Sequence, residues 1–123
     1  MNDDHLTKEQ KAVLRNKSTE APYTGKYLDN KEDGMYKCAD CGAQLFSSET
    51  KFDSKSGWPS FDNAIPGAVK EVTDQSHGMI RTEAVCAKCG GHLGHVFEGE
   101  GMTDKDTRHC VNSLSIKFIP QDE

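Results

Sequence analysis

A chain of 123 residues with 34% hydrophobic side chains has material for one domain with a single modest core, for which a metal clamp is an expected supplement. Its formal charge of -5 comes from acids and bases mixed throughout, with no basic stripe, which removes the electrostatic footing for nucleic-acid binding. No run approaches the roughly 20 apolar residues that span a bilayer, and no apolar leader precedes the polar start, so the expectation is a soluble, cytoplasmic protein whose thiols stay reduced.

Residues 1–5 are polar and read as a loose end of the single domain that spans 1–123. Thr7 and Gln10 form a capping-box pair leading into Lys11-Ala12-Val13-Leu14-Arg15, which predicts one short N-terminal helix. Residues 21–34 carry Pro22, Gly25 and Gly34 among several charges and read as loop. Next come Cys38-Ala39-Asp40-Cys41-Gly42 and, far downstream, Cys86-Ala87-Lys88-Cys89-Gly90. Two C-x-x-C turns, each followed by glycine, aim four sulfurs at one point and suit a single structural, tetrahedral zinc. Such a site has no open coordination position, so the metal is expected to clamp two distant segments and not to catalyse. A disulfide framework fits poorly with an odd cysteine count, and a thioredoxin-type redox pair lacks its βαβ context.

From Cys41 onward, glycines and prolines punctuate short β-like runs, and nothing between Cys41 and Cys110 is periodic enough for a substantial helix. The chain is read as mainly β, with strands at Val69 to Thr73 and Met79 to Val85 separated by a turn over 74–78. The last strand is read as continuous: at period two, Arg108, Cys110, Asn112, Leu114, Ile116 and Phe118 share one face, and His109, Val111, Ser113, Ser115 and Lys117 share the other. The apolar run 114, 116 and 118 marks the first as the core face, with Cys110 and Asn112 at its polar mouth and His109 pointing away.

With four cysteines assigned to metal, Cys110 is left for chemistry. An ordinary thiol near pKa ~8.5 is only a few per cent thiolate at neutral pH, so it needs cationic or hydrogen-bonding neighbours. Arg108 lies on its face, and His92 and His95 in Gly91-His92-Leu93-Gly94-His95-Val96-Phe97 supply imidazoles for proton transfer. Gly90, Gly91 and Gly94 argue against a helix that would make the histidines metal ligands. Trp58, between Gly57 and Pro59, reads as a loop aromatic presented at a pocket, suited to a small apolar, sulfur-bearing group.

Several motifs in order, Pro22-Tyr23-Thr24-Gly25, the two cysteine pairs, Gly57-Trp58-Pro59-Ser60-Phe61, Arg81-Thr82-Glu83, Gly91 to Phe97 and Arg108-His109-Cys110-Val111-Asn112-Ser113, resemble the B class of methionine sulfoxide reductases. The resemblance runs from about Leu6 to Phe118. It implies two small, twisted antiparallel sheets with a short N-terminal helix, and reduction of the R epimer of methionine sulfoxide, mainly in proteins. By resemblance Cys110 attacks the sulfoxide sulfur and becomes a sulfenic acid, and His95 donates the proton. His92 and Asn112 hold the sulfoxide oxygen or a water, and Trp58, Phe97 and Arg108 attend the substrate. Two positions depart from the family pattern. Ser56 stands where many members carry a resolving cysteine, so regeneration is expected from an external thiol: thioredoxin, glutaredoxin or a small thiol. His109 stands where an aromatic residue is common. A monomer is expected. A non-catalytic zinc-ribbon-like interaction module would explain the cysteine pairs but not Cys110, the histidines or Trp58. A zinc hydrolase or nucleobase deaminase would need an open metal position, and a cysteine peptidase an oxyanion hole.

Overall fold

The structure, a computed structural model, describes residues 6–75 and 78–121. Its helix α1 (Lys8–Asn16) begins as the sequence predicts: the Gln10 backbone N–H donates to Thr7 Oγ1 at 3.1 Å, and the Thr7 backbone N–H donates to Gln10 Oε1 at 2.9 Å. Val13 and Leu14 form its buried stripe, and a side chain at Gly91 would collide with Leu14, so the helix sits flush on the chain there. It ends at Lys17, in the left-handed region at φ 60°, from which Ser18 N–H reaches back to the Ala12 carbonyl.

Nine strands follow: β1 (Gly34–Cys38), β2 (Gln44–Ser47), β3 (Lys51–Phe52), β4 (Ser60–Phe61), β5 (Val69–Asp74), β6 (Arg81–Cys86), β7 (His92–Glu98), β8 (Thr107–Val111) and β9 (Ile116–Pro120). They form two antiparallel sheets, of order β2-β1-β9 and β3-β4-β8-β7-β6-β5. Between the sheets Phe46 stacks on Phe61 at 4.3 Å and Tyr36 meets Phe61 edge-on at 5.1 Å, within a core that also holds Leu45, Leu93, Val111 and Ile116. These three rings are fully buried and are the largest side chains of the core.

Three readings of the sequence require correction. The strand expected at Met79 to Val85 starts at Arg81, and Met79 and Ile80 are exposed, because only from Arg81 does the chain pair with β5. The last strand is not continuous: Ser113–Ser115 forms a single 3-10 turn that moves the chain from the large sheet (β8) to the small one (β9). This turn breaks the period-two count, so the core face of β8 carries His109 and Val111, not Cys110. His109 therefore does not point outward. It is buried, its ring edge-on to Phe46 at 5.6 Å and its Nδ1 3.2 Å from the Phe61 carbonyl, which is how an aromatic-sized imidazole fits a core position.

The two cysteine turns are the same device used twice. In each, the glycine after the second cysteine has positive φ (Gly42 80°, Gly90 78°) and its N–H donates to the carbonyl of the first cysteine, at 3.0 and 2.7 Å. The first cysteine's N–H in turn bonds the carbonyl five residues on, Ala43 or Gly91. One turn ends β1 in the small sheet and the other ends β6 in the large sheet, so the four-cysteine cluster bridges the sheets.

Candidate active site and metal cluster

The four sulfurs of Cys38, Cys41, Cys86 and Cys89 all lie within 4.8 Å of one another and could hold a metal ion. Two pairs that run between the turns are Cys38 to Cys89 at 3.7 Å and Cys41 to Cys86 at 3.5 Å. A regular tetrahedron with ligands at ~2.3 Å has edges of about 3.8 Å, so the spacing matches a thiolate shell around zinc. Crowding and burial alone do not favour four anions. The Cys38 thiol donates to Cys86 and holds it down to about 4, Cys38 itself is pushed up by the same bond, and burial pushes Cys89 up to about 12. A dication is what lets all four ionise together.

On the far side of the large sheet from His109, one row of paired residues crosses four strands. Ser60 on β4 is opposite Cys110 on β8, Cys110 is opposite His95 on β7, and His95 is opposite Glu83 on β6. Directly paired residues share a face, so Cys110, His95 and Glu83 project together. His92 joins them through a bulge. Ala84 pairs with Gly94 but Val85 pairs with His92, which leaves Leu93 as an extra residue and brings His92 round to the face of His95. The two imidazole centroids are 5.5 Å apart. Without the extra residue a spacing of three would put them on opposite faces.

This face bounds a cavity of about 100 Å³ lined by Thr19, Trp58, Arg81, Gly94, His95, Phe97, Cys110 and Asn112 among others. Larger hollows exist, including one of about 600 Å³ along Asp33, Lys37 and Glu49, but that one has no thiol or imidazole. Gly94 has a steric role here, since a Cβ would run into the Cys110 carbonyl on the neighbouring strand. Trp58 is fixed by a 3.0 Å hydrogen bond from its indole N–H to the Glu20 carbonyl, and Gly57, at φ 96°, packs its backbone on Pro22. Asn112 ties the same segment down: its Oδ1 accepts from Glu20 N–H at 3.1 Å and its Nδ2 donates to the Leu93 carbonyl at 3.1 Å. Half of its hydrogen-bonding capacity is thus committed to shaping the wall, with one amide hydrogen and one lone pair left.

Burial pushes the Cys110 thiol up, while the Arg108 guanidinium and the Ser56 hydroxyl pull it down and Glu20 adds a smaller push upward. Arg108 is held for that task by a two-pronged pair with Glu100, at 2.8 and 3.2 Å, and by lying 4.4 Å over the Phe97 ring. Ser56 belongs to a chain of hydroxyls in which Ser54 is 2.7 Å from both Ser56 and Ser60. His95 Nε2 lies 2.9 Å from Asp74 Oδ2, and His92 Nδ1 lies 2.8 Å from Glu83 Oε2. His92 is held below its ordinary value, first by burial, against the opposing pull of Glu83. The structure thus brings together Cys110, His95, Trp58, Phe97 and Asn112 at one cavity, with His92 behind His95 and Arg108 beside Cys110. Sequence reasoning missed Glu20, Asp74 and Lys17, whose partners are distant in the chain, and also Glu100 and Ser54, whose partners lie within eight residues. Glu83 stood within a quoted motif but had no role.

The fold and this site define an oxidoreductase-type thiol centre, separate from a four-cysteine cluster that could hold a metal ion, and comparison with known proteins bears on which. The SelR domain matches residues 6–120. The chain is 55% identical over 107 residues to the peptide methionine sulfoxide reductase MsrB of Variovorax paradoxus (strain S110), covering 86% of this chain and 78% of that protein. It is 52% identical over 118 residues to the MsrB of Thiobacillus denitrificans (strain ATCC 25259 / T1), covering 95% and 89%. It is also 52% identical over 122 residues to peptide methionine sulfoxide reductase 2 of Saccharomyces cerevisiae, covering 94% and 73%. The chain belongs to the SelR family of MsrB-type oxidoreductases. No helix among the described residues is long and apolar enough to cross a membrane.

Proposed function

We propose that this chain reduces the R epimer of methionine sulfoxide, mainly within proteins, to methionine, with Cys110 as nucleophile. The observation that carries the reading is the pairing of Cys110, a thiol outside the metal cluster, directly opposite His95 at a cavity walled by Trp58 and Phe97. The cavity takes the tip of a side chain, which suits a methyl sulfoxide whose remainder lies outside. Trp58 and Phe97 receive the methyl group, and Arg108 and Ser56 support negative charge on sulfur.

The Cys110 thiolate bonds to the sulfoxide sulfur while a proton from His95 neutralises the oxygen as it leaves that sulfur. The oxygen ends on Cys110 as a sulfenic acid and methionine departs, so cysteine sulfur is oxidised by two electrons and the substrate reduced by two. We assign the remaining amide hydrogen of Asn112 to the sulfoxide oxygen, and His92, whose Nδ1 is taken by Glu83 and whose Nε2 is buried, to a bound water. Ser56, part of the hydroxyl chain next to Cys110, offers no sulfur for an internal disulfide. An external thiol therefore condenses with the sulfenic acid, releasing water, and a second thiol equivalent frees Cys110. Thioredoxin, glutaredoxin or a small thiol would serve, in a reducing compartment such as the cytoplasm, and the protein acts as a monomer. One zinc held by Cys38, Cys41, Cys86 and Cys89 would supply structure only. A non-catalytic zinc-ribbon module leaves the arrangement around Cys110 without a purpose.

Turnover of separated R and S epimers with dithiothreitol, in wild type and Cys110→Ser, tests this. R alone should be reduced, and the variant should lose more than about a thousandfold in rate. Substrate-treated wild type should gain one oxygen on Cys110 by mass spectrometry. Equal turnover by the variant, or an internal disulfide from Cys110, would refute the scheme.

A further inference from the structure

The two imidazoles at the site are each backed by a carboxylate, and each carboxylate by a cation. Asp74 Oδ2 is 2.9 Å from His95 Nε2 and 3.5 Å from Arg81 Nη2. Glu83 Oε2 is 2.8 Å from His92 Nδ1, and Glu83 Oε1 is 3.0 Å from Lys17 Nζ. An ionised carboxylate only accepts hydrogen bonds, so Asp74 keeps a hydrogen on His95 Nε2 and Glu83 keeps one on His92 Nδ1. The rings are thereby locked in opposite tautomers.

Their surroundings divide their work. His92 is 3% exposed, and its Nε2 is sealed from solvent with no hydrogen-bond partner among the described residues. His95 lines the cavity with Cys110 and has Nε2 already engaged, which leaves Nδ1 as its nitrogen for a ligand. We infer that Asp74 is the positioning residue of this site: it holds His95 so that the proton for the sulfoxide oxygen leaves from Nδ1, while Glu83 and His92 form a buried, hydrogen-bonded pair behind it. This rests on the proposed reduction with His95 as proton donor.

In the step, the His95 imidazolium passes its Nδ1 hydrogen to the departing oxygen and is left as the neutral Nε2–H ring still bonded to anionic Asp74. Solvent restores the proton. Among the described residues, the charged and titratable groups around His95 include Asp74 from β5, Arg81 and Glu83 from β6, His92 on its own strand and Cys110 from β8, with Lys17 beyond Glu83. Of these, Asp74 is the carboxylate bonded to His95.

The test combines nitrogen-15 NMR of the substrate-free protein with kcat and KM for turnover, in wild type, Asp74→Asn and Asp74→Glu. Wild-type His95 should show the Nε2–H signature. Asp74→Asn, whose amide can donate as well as accept, should lose that single tautomer and lower kcat about ten- to hundredfold with KM within about twofold. Asp74→Glu should restore the tautomer and part of kcat. An unchanged tautomer in Asp74→Asn would overturn the positioning, and a lost tautomer with unchanged turnover would overturn the route through Nδ1. If Asp74→Asn fails to fold, a wild-type spectrum showing Nδ1–H would by itself overturn the positioning. Wild type inert toward both epimers would instead sink the reduction and the proton route with it, leaving the tautomer to be judged by the spectra alone.

Discussion

Within each cysteine turn, five consecutive residues and one positive-φ glycine place two sulfurs, whereas around Cys110 the working groups come from segments up to 92 residues apart, as in the bond from Glu20 N–H to Asn112. The metal cluster is local geometry used twice and joined across two sheets. The thiol site is a property of strand register. Damage to the first should therefore appear mainly as lost stability, and damage to the second mainly as lost chemistry.

The sharpest way to separate the two is to remove one cluster sulfur. Cys86→Ser should abolish stoichiometric metal binding and lower stability by several kcal/mol, a fall in Tm on the order of 15 °C for a domain of this size, measured by metal analysis and calorimetry. Retained Tm after metal loss would mean that the sheets hold each other without the clamp. Next in size is Gly94→Ala, which drives a methyl group into the Cys110 carbonyl. Here both regions' signatures should mix: about 1–3 kcal/mol lost in urea unfolding, and turnover reduced beyond what unfolding explains. Thr7→Ala, remote from both, removes the helix cap at a cost of about 1 kcal/mol and should leave kcat unchanged.

The smallest expected effect concerns pH. Burial holds His109 below its ordinary value of 6.5, so the unfolded chain takes up its proton at a higher pH than the native protein does. Its share of stability is present above that ordinary value and lost as the pH falls below it. His109→Phe should flatten the loss of stability between about pH 7.5 and about pH 5.5 without altering turnover near neutrality, as urea midpoints would report. An unchanged slope would mean that other groups carry the acid sensitivity.

What could be read from the sequence tracks this same contrast. The capping box at Thr7 and Gln10 and the two C-x-x-C-G turns depend on neighbours in the chain, and each stands where expected. The face of Cys110 was misjudged because one 3-10 turn at Ser113–Ser115 resets the alternation, and no residue in Asn112-Ser113-Leu114-Ser115 is a strong breaker. Asp74 was read as part of a turn and ends β5 instead, where pairing with Arg81 gives it a role that only β6 could reveal. His109 looked exposed because alternation was counted from the apolar residues of a different sheet.

The extra residue at Leu93 carries a practical consequence for anyone wishing to graft this centre elsewhere. Copying the two histidines at their spacing onto a regular strand would send one ring to each side, and trimming the extra residue from this protein would do the same. What must be transplanted is the kink together with the glycine after it, and a one-residue deletion there should prove more damaging than many substitutions of the rings' neighbours.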